Sequence, residues 1–202
     1  SDKPIDYDNK ISMQPKLDGV RCVIQCEWPT PMQPVVKAYS RTGKEWKNIE
    51  HILFNLKPWF YLNPNVILDG ELYNHDLRDN FEKIISLVRK SKPTDQDRLD
   101  AEKLTQFHCY DIIDETKTFE ERNRFIVQAV PRNHCVFHVN THMVGNEPAA
   151  KVFHRINLEN GYEGSIVRTN DKYACKRSHN LRKFKDFHDA EAEITGWVEG
   201  KG

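Results

Sequence analysis

The 202-residue sequence lacks the features that define several large classes of protein. It has no uninterrupted apolar run of about 18 residues, the length a transmembrane helix needs, and its amino terminus has no signal-peptide pattern. Nine glycines and ten prolines are too few for a collagen-like or low-complexity chain. We therefore expect a protein with no membrane association, located in the cytoplasm, or in the nucleus if the source is eukaryotic.

Disulfide and zinc chemistry are also poorly supported. The five cysteines are odd in number, scattered and never form a Cys-x-x-Cys pair, which is typical of reduced thiols. The nine histidines show no zinc-site spacing. The sequence predicts neither a disulfide framework nor structural zinc.

The net charge is zero, with 30 basic and 30 acidic residues. This excludes nucleic-acid binding by bulk attraction, but it leaves room for a local basic groove. Between positions 172 and 188 a single acid, Asp186, accompanies six cations: Lys172, Lys176, Arg177, Arg182, Lys183 and Lys185. A basic strip near the carboxyl terminus is therefore predicted.

Hydrophobic periodicity predicts interleaved strands and helices. Strands are expected over 19–27, 35–41, 66–73, 106–113, 134–140, 164–168 and 181–187, and helices over 48–56, 80–90, 119–130 and 147–160. Three prolines between 28 and 34 predict a loop joining an antiparallel pair, and the polar segment 92–102 predicts a surface excursion. The fold class is α+β, with antiparallel β-sheets flanked by helices.

Two domains are expected from the end of the sequence. Residues 1–188 are predicted to form the α+β domain. Residues 189–202 begin another β-element and then stop, so we expect the cut start of a second domain. The first residue is Ser1, with no Met, so we expect a processed or excised fragment.

Six short motifs follow one another along the chain. In order they are KLDGVR from Lys16, SRTG from Ser40, DGEL from Asp69, the pair Tyr110-Asp111, EGSIVR from Glu163 and KFK from Lys183. Together they resemble the motifs of the covalent nucleotidyltransferase family of ATP-dependent polynucleotide ligases and mRNA capping enzymes. The resemblance runs from about Gln14 to Lys185.

The resemblance implies an ATP-grasp-like nucleotidyltransferase fold of the DNA ligase kind, followed by the first strand of an otherwise absent OB-type domain. It implies that Lys16 is a nucleophile that carries AMP derived from ATP, with Mg²⁺ or Mn²⁺ as the metal. Glu163 would bind the metal and Glu71 the ribose hydroxyls, and Asp69 and Glu71 are further candidate metal ligands.

The remaining roles follow from the same resemblance. Tyr110 would stack on adenine, and Gln14 would lie against the adenine edge by its side chain or backbone. Arg21 and Arg41 would bind ribose and phosphate. The catalytic and nucleotide-binding set also includes Lys183 and Lys185, and the residues expected on DNA phosphates are Arg41, Lys176 and Arg177.

The chemistry gives independent reasons for these residue types. Only a neutral amine is nucleophilic, and an ordinary lysine pKa near ~10.4 leaves roughly one part in ~2,500 neutral at pH 7. Nearby cations such as Lys183 and Lys185 would lower the pKa of Lys16 and would stabilise the charge on the α-phosphate. Carboxylate oxygens such as those of Glu71 suit magnesium that bridges phosphates.

The leading hypothesis is the adenylation domain of an ATP-dependent DNA ligase. It would act on nicked double-stranded DNA in repair, replication and recombination, as a monomer without an obligate protein partner. The alternatives are an RNA ligase, an mRNA capping guanylyltransferase, and a nucleic-acid-binding module that reuses the fold without chemistry.

Overall fold

The computed structural model describes residues 4–30, 33–175 and 179–184. These residues form nine strands and five α-helices. The strands are β1 (Ile11–Lys16), β2 (Val20–Thr30), β3 (Gln33–Tyr39), β4 (Ile67–Tyr73), β5 (Gln106–Ile112), β6 (Val136–His138), β7 (His142–Val144), β8 (Gly164–Thr169) and β9 (Leu181–Phe184). The helices are α1 (Glu50–Leu62), α2 (Phe81–Val88), α3 (Asp95–Leu104), α4 (Phe119–Ala129) and α5 (Glu147–Glu159).

The strands form two sheets. The larger has the order β3-β2-β4-β5-β6, and the smaller has the order β7-β1-β8-β9. All pairs are antiparallel except β5 with β6, which is parallel. The α+β class with antiparallel sheets is thus confirmed, with one parallel pair at the edge of the larger sheet.

Each sheet has its own hydrophobic core. The larger core packs α1 and α2 against the five-stranded sheet, with Ile24, Leu68, Leu72 and Phe107 fully buried in the sheet. The smaller core packs α5 against the four-stranded sheet and consists of Ile11, Met13, Val144, Ala150 and Val167. Because side chains alternate across a strand, Ile11 and Met13 of β1 enter this core while Gln14 and Lys16 lie on the opposite face.

Several helices differ from their predicted extents. The segment 92–102 is not an irregular excursion, because α3 occupies most of it. Helix α3 begins with a capping box, in which Thr94 accepts a hydrogen bond from the Asp97 backbone N–H and the Asp97 carboxylate accepts one from the Thr94 backbone. Helix α1 extends to Leu62 although it contains Pro58. Proline has no N–H, so the backbone carbonyl of Phe54, four residues earlier, loses its helical hydrogen bond. Phe54 is exposed, so water can donate to that carbonyl instead.

The strands differ from prediction mainly at their ends. The predicted proline loop is shorter than expected, because β2 continues to Thr30 and β3 starts at Gln33, with a register irregularity between Glu27 and Thr30. Strand β6 covers only the middle of the predicted segment 134–140, and the sequence pattern did not indicate β1 or β7. The remaining predicted strands and helices are present with boundaries shifted by a few residues at most, apart from 181–187, which is described only as far as Phe184.

The predicted second domain at 189–202 lies outside the described residues, as do Lys185, Lys176 and Arg177. Across the described residues, no helix has both the length and the apolar character needed to cross a membrane.

Candidate active site

Lys16 lies at the last position of β1, where that strand pairs with the first residue of β8, Gly164. This register places Glu163 beside the lysine. The Lys16 Nζ donates a hydrogen bond to the Glu163 carboxylate, and the Glu163 backbone N–H donates to the Lys16 carbonyl at 3.3 Å. The lysine side chain is 17% exposed and the glutamate side chain 44%, so the lysine is largely covered while the glutamate is open to solvent.

Two features of its surroundings make the Lys16 amine easier to deprotonate than an ordinary lysine. Burial lowers the pKa of the Lys16 amine, and the positive charge of Lys183 lowers it further. The carboxylates of Asp18 and Glu71 oppose this shift. Lys183 is exposed on β9, which pairs with β8, and so it supplies the cation that the sequence analysis predicted near Lys16.

Glu71 lies on β4 directly opposite Arg21 of β2. Burial, followed by the charge of Asp69, raises the pKa of the Glu71 carboxyl to about 8. No hydrogen bond from the described residues reaches this carboxyl. Glu71 is partly buried, and a carboxyl that accepts no hydrogen bond from these residues is available to a ligand that brings hydroxyls or a cation.

Asp69 is a hydrogen-bonding centre rather than an open ligand. It accepts Arg21 Nε at 2.8 Å and Nη2 at 2.9 Å, the Tyr173 hydroxyl at 2.7 Å and the Tyr110 hydroxyl at 3.2 Å. Its side chain is 5% exposed. These bonds occupy both carboxylate oxygens, which argues against Asp69 as a metal ligand and assigns it the role of fixing Arg21 and Tyr110.

Gln14 is also held by the protein. Its Nε2 donates to the Tyr110 carbonyl at 3.1 Å and to the Thr141 hydroxyl at 2.9 Å, and its Oε1 accepts Arg168 Nε at 2.6 Å. The side chain is therefore fully engaged between the two sheets. Of the two alternatives for Gln14, side chain or backbone, the geometry argues against the side chain.

A buried ionic network joins the sheets behind this glutamine. Asp111 of β5 accepts Arg168 Nη1 at 2.8 Å and Arg122 Nε at 2.7 Å. All three side chains are nearly inaccessible, and such burial is tolerable because each charge is paired and hydrogen-bonded. The Arg168 guanidinium also lies 5.2 Å from the ring centroid of Tyr110 and thereby fixes that ring.

Tyr110 and Ile166 are two half-buried side chains on neighbouring parts of the sequence-predicted site. Tyr110 lies on β5, and Ile166 of β8 pairs in register with Gln14 and with Lys183. Side chains at paired positions share a face of the sheet, so Ile166 lies on the same face as Gln14 and Lys183. Arg41, by contrast, is exposed in the turn after β3, with no partner among the described residues.

The sequence analysis assigned no role in the site to Ile166, Arg168 or Tyr173. Arg168 and Ile166 lie within the EGSIVR motif, two residues apart on β8 and therefore on the same face of the sheet as Gln14. The motif does not show that Arg168 is bonded to Gln14 and Asp111 whereas Ile166 stays half-buried. Tyr173 lies within the predicted basic strip, directly after Lys172, and its hydroxyl donates to Asp69 and accepts from Arg21 Nη2 at 2.9 Å. No local sequence signal indicates that contact.

The carboxylates of Glu163 and Glu71 fit a hard divalent cation. The described residues contain no cluster of three or more acidic, histidine or cysteine side chains that would enclose a metal. Mg²⁺ does not require one, because it usually keeps several waters and is held by one or two carboxylates together with substrate phosphates. The partly exposed Glu163 and the donor-free Glu71 are ligands of that kind.

Comparison with known proteins decides the family. The family model described as the ATP dependent DNA ligase domain matches residues 5–185, nearly the whole chain. The chain belongs to this family. The match favours a DNA ligase adenylation domain over the RNA ligase and guanylyltransferase alternatives. No curated protein sequence matches.

Solved structures share the fold of the ligase domain. A structure from a study of DNA binding by Lig E DNA ligases is 25% identical, with a TM-score of 0.65, and the match covers 98% of this chain and 70% of that one. The ATP-dependent DNA ligase from bacteriophage T7 in complex with ATP is 17% identical, with a TM-score of 0.65, and coverage of 89% and 63%. A chain named Pmar-Lig_PreS3 is 21% identical, with a TM-score of 0.66, and coverage of 88% and 43%. The ligase domain thus spans less than half the length of that chain.

Proposed function

We propose that Lys16 attacks the α-phosphate of ATP and becomes AMP-lysine. A bond forms between Nζ and phosphorus, the bond from that phosphorus to pyrophosphate breaks, and the amine loses a proton. The observation that carries the proposal is the position of Lys16 beside Glu163, with Lys183 and Glu71 close enough to influence its charge, in a chain of the ATP-dependent DNA ligase family. A covalent intermediate of this kind divides one difficult condensation into easier steps.

The residues around Lys16 have opposite effects on its protonation. In the free protein Glu163 accepts a hydrogen bond from the Lys16 ammonium, which keeps the amine oriented. Burial and Lys183 act in the other direction and lower the free-energy cost of losing the proton. Lys183, and Lys185 two residues further on, would also stabilise the negative charge of the transferring phosphate.

Glu163 and Glu71 would hold Mg²⁺ or Mn²⁺ with the nucleotide phosphates. The metal would supply charge neutralisation at the phosphate oxygens. Glu71 would also bind the ribose hydroxyls, since its carboxyl accepts no hydrogen bond from the residues that the structure describes. Asp69 would not bind the metal or the nucleotide itself, and would instead hold Arg21 in position.

The nucleotide base would enter between Tyr110 and Ile166. Stacking on the tyrosine ring needs its face, and the ring is held by its hydroxyl bond to Asp69 and by Arg168. The two unused Nη1 hydrogens of Arg21 would serve ribose or phosphate, because Nε and Nη2 are already bonded to Asp69 and Tyr173.

In a complete ligase the AMP would pass to the 5′-phosphate of a nick in double-stranded DNA, and attack by the adjacent 3′-hydroxyl would then seal the strand. The exposed Arg41, with Lys176 and Arg177, would contact DNA phosphates. The proposal includes action as a monomer in DNA repair, replication and recombination. The cytoplasmic location expected from the sequence stays a prediction.

A pulse and chase separates this function from a binding role. The protein is incubated with ATP labelled at the α-phosphate plus Mg²⁺, and the gel is examined for label that is acid-labile and base-stable. Unlabelled ATP and a 5′-phosphorylated nicked duplex are then added. The proposal predicts label on the protein that moves to DNA. Protein that binds nicked DNA but never acquires label would instead support the nucleic-acid-binding alternative.

A further inference from the structure

The loop that presents Glu163 is four residues long and begins where α5 ends. Gly161 has φ of +81°, a conformation that favours glycine, and it turns the chain back toward β8. The Tyr162 backbone N–H donates to the Asn157 carbonyl at 3.0 Å. The position of Glu163 against Lys16 therefore depends on how firmly residues 160–163 are held.

His75 reaches this loop from the other sheet. Its Nε2 lies 2.9 Å from the Asn160 carbonyl oxygen, and its ring centroid lies 4.5 Å from that of Tyr162, with an angle of 37° between the rings. His75 is thus joined to the loop at two residues, by a hydrogen bond at Asn160 and by a ring contact at Tyr162.

The histidine is itself fixed from behind. Its Nδ1 lies 2.7 Å from the hydroxyl of Tyr73, which is 2% exposed at the end of β4. The neighbouring Asn74 is buried and donates to the Leu104 carbonyl at 3.0 Å. A carbonyl oxygen only accepts, so Nε2 carries the proton of the neutral ring and Nδ1 accepts from the tyrosine hydroxyl.

From these contacts we infer that His75 is a positioning residue that clamps the Glu163 loop against the five-stranded sheet. Glu71 belongs to β4, the strand that ends at Tyr73, so the clamp fixes the separation between the two carboxylates that flank Lys16. His75 acts through Asn160 and Tyr162 and touches none of the reacting groups. The inference rests on the proposed function in one respect, namely that Glu163 serves the reaction.

Arg78 reinforces the clamp. A Cβ at Gly161 would lie 2.7 Å from Arg78 Nε, so the arginine side chain lies directly over the turn. Arg78 Nη1 also donates to the His75 carbonyl at 3.2 Å. The 3-10 segment His75–Asn80 therefore contacts the loop at Asn160, Gly161 and Tyr162.

The first test is hydrogen–deuterium exchange of the peptide spanning 157–166, which does not depend on catalysis. His75→Ala is expected to speed exchange there by about tenfold while exchange in α1 and α2 is unchanged, because only the loop loses its support. His75→Phe retains a ring and His75→Gln retains a donor, so each is expected to give a smaller increase.

His51→Phe is the matched control. His51 is also a partly buried histidine whose Nε2 lies 2.9 Å from a backbone carbonyl, that of Thr105, but it is not in contact with the Glu163 loop. Its replacement should leave exchange over 157–166 at the wild-type rate. Equal exchange in wild type and His75→Ala, or faster exchange across the whole chain, would overturn the clamp.

The second test is a double-mutant cycle on the rate of AMP-lysine formation. His75→Ala should slow adenylation by about tenfold in the wild-type background, corresponding to ~1.4 kcal/mol, and should have little effect in a Glu163→Gln background. Equal slowing in both backgrounds would show that His75 acts elsewhere. If wild type forms no AMP-lysine, the proposed function fails, and the exchange measurement alone still decides the clamp.

Discussion

Asp69 accepts two parallel hydrogen bonds from Arg21, at 2.8 Å to Nε and 2.9 Å to Nη2. The pair joins neighbouring strands β2 and β4, and within the described part of the chain the Nη1 nitrogen of the guanidinium has no hydrogen-bond partner and can bind a nucleotide. Tyr173 completes the arrangement, because its hydroxyl bonds to both members. An arginine held in this way is preorganised, so little conformational entropy is lost when it meets its ligand.

The tyrosine hydroxyl gives the first prediction. Tyr173→Phe should lower the free energy of unfolding by about 1 kcal/mol and raise the KM for ATP several-fold, because Arg21 loses one of its fixed partners. Urea denaturation and adenylation kinetics measure the two effects. Tyr39→Phe is the control, since Tyr39 also donates to a carboxylate, that of Glu27, and has no bond to Asp69 or Arg21 among the described contacts. It should cost similar stability and leave KM unchanged, whereas a changed KM in the control would mean that the effect is not local.

Glu71 gives the second prediction, on pH and stability. Its pKa is raised to about 8 by burial and by Asp69, from an ordinary value of 4.5, so between these values the folded state binds more protons than the unfolded state. Stability is therefore lost as the pH rises from about 4.5 through 8. Glu71→Gln removes this loss and should stabilise the protein at pH 9 by about 1 to 3 kcal/mol, with little gain at pH 4, while adenylation falls.

Chemical denaturation at pH 4, 7 and 9 provides the measurement. Exposed Glu102→Gln is the control and should follow the wild-type pH dependence. If Glu71→Gln is less stable than wild type at pH 9, the carboxylate has a stabilising partner, and our description of it as a donor-free group is incorrect.

Gly19 gives the third prediction. A Cβ at this position would lie 2.4 Å from the Leu72 carbonyl oxygen and 2.8 Å from Glu71 Cγ, so the loop after Lys16 lies directly on β4. Gly19→Ala should force the loop away, cost about 1 to 3 kcal/mol of stability and reduce adenylation more strongly than stability, because Lys16 and Glu71 move apart.

Thermal unfolding and the rate of AMP-lysine formation measure these effects. Gly145→Ala is the matched control, because a Cβ there meets nothing within 4 Å. Wild-type adenylation by Gly19→Ala at full stability would show that the loop has room, contrary to the structure.

The sequence predicted those helices and strands whose buried face gives a clear repeat in the spacing of apolar residues. The apolar spacing of Ile84 and Val88 identified α2, and the apolar residues 66–68 that precede DGEL identified β4, because both are core elements. Helix α3 was missed because its surface is polar, and its stability at the start comes from the reciprocal bonds of Thr94 and Asp97. A capping box is readable in a sequence, and here it was a better guide than hydrophobicity.

The sequence predicted which residues belong to the site, but not which of them contact one another. Lys16 and Glu163 were both assigned from motifs, and the pairing of β1 with β8 brings them together. The engagement of Gln14 and Asp69 could not be predicted, because it depends on Arg168 and Tyr173, which lie more than a hundred residues along the chain. Side-chain orientation follows from strand register, and a motif does not state which register its strand adopts.

The central claim is that Lys16 carries AMP, and locating the adduct tests it most directly. The protein is incubated with ATP and Mg²⁺, digested under basic conditions that preserve the phosphoramidate, and analysed by tandem mass spectrometry. Our account predicts AMP on Lys16, and no protein-bound AMP in Lys16→Ala or Lys16→Arg, because a guanidinium stays protonated and cannot attack. AMP on any other residue, or on the protein in Lys16→Ala, would contradict the account.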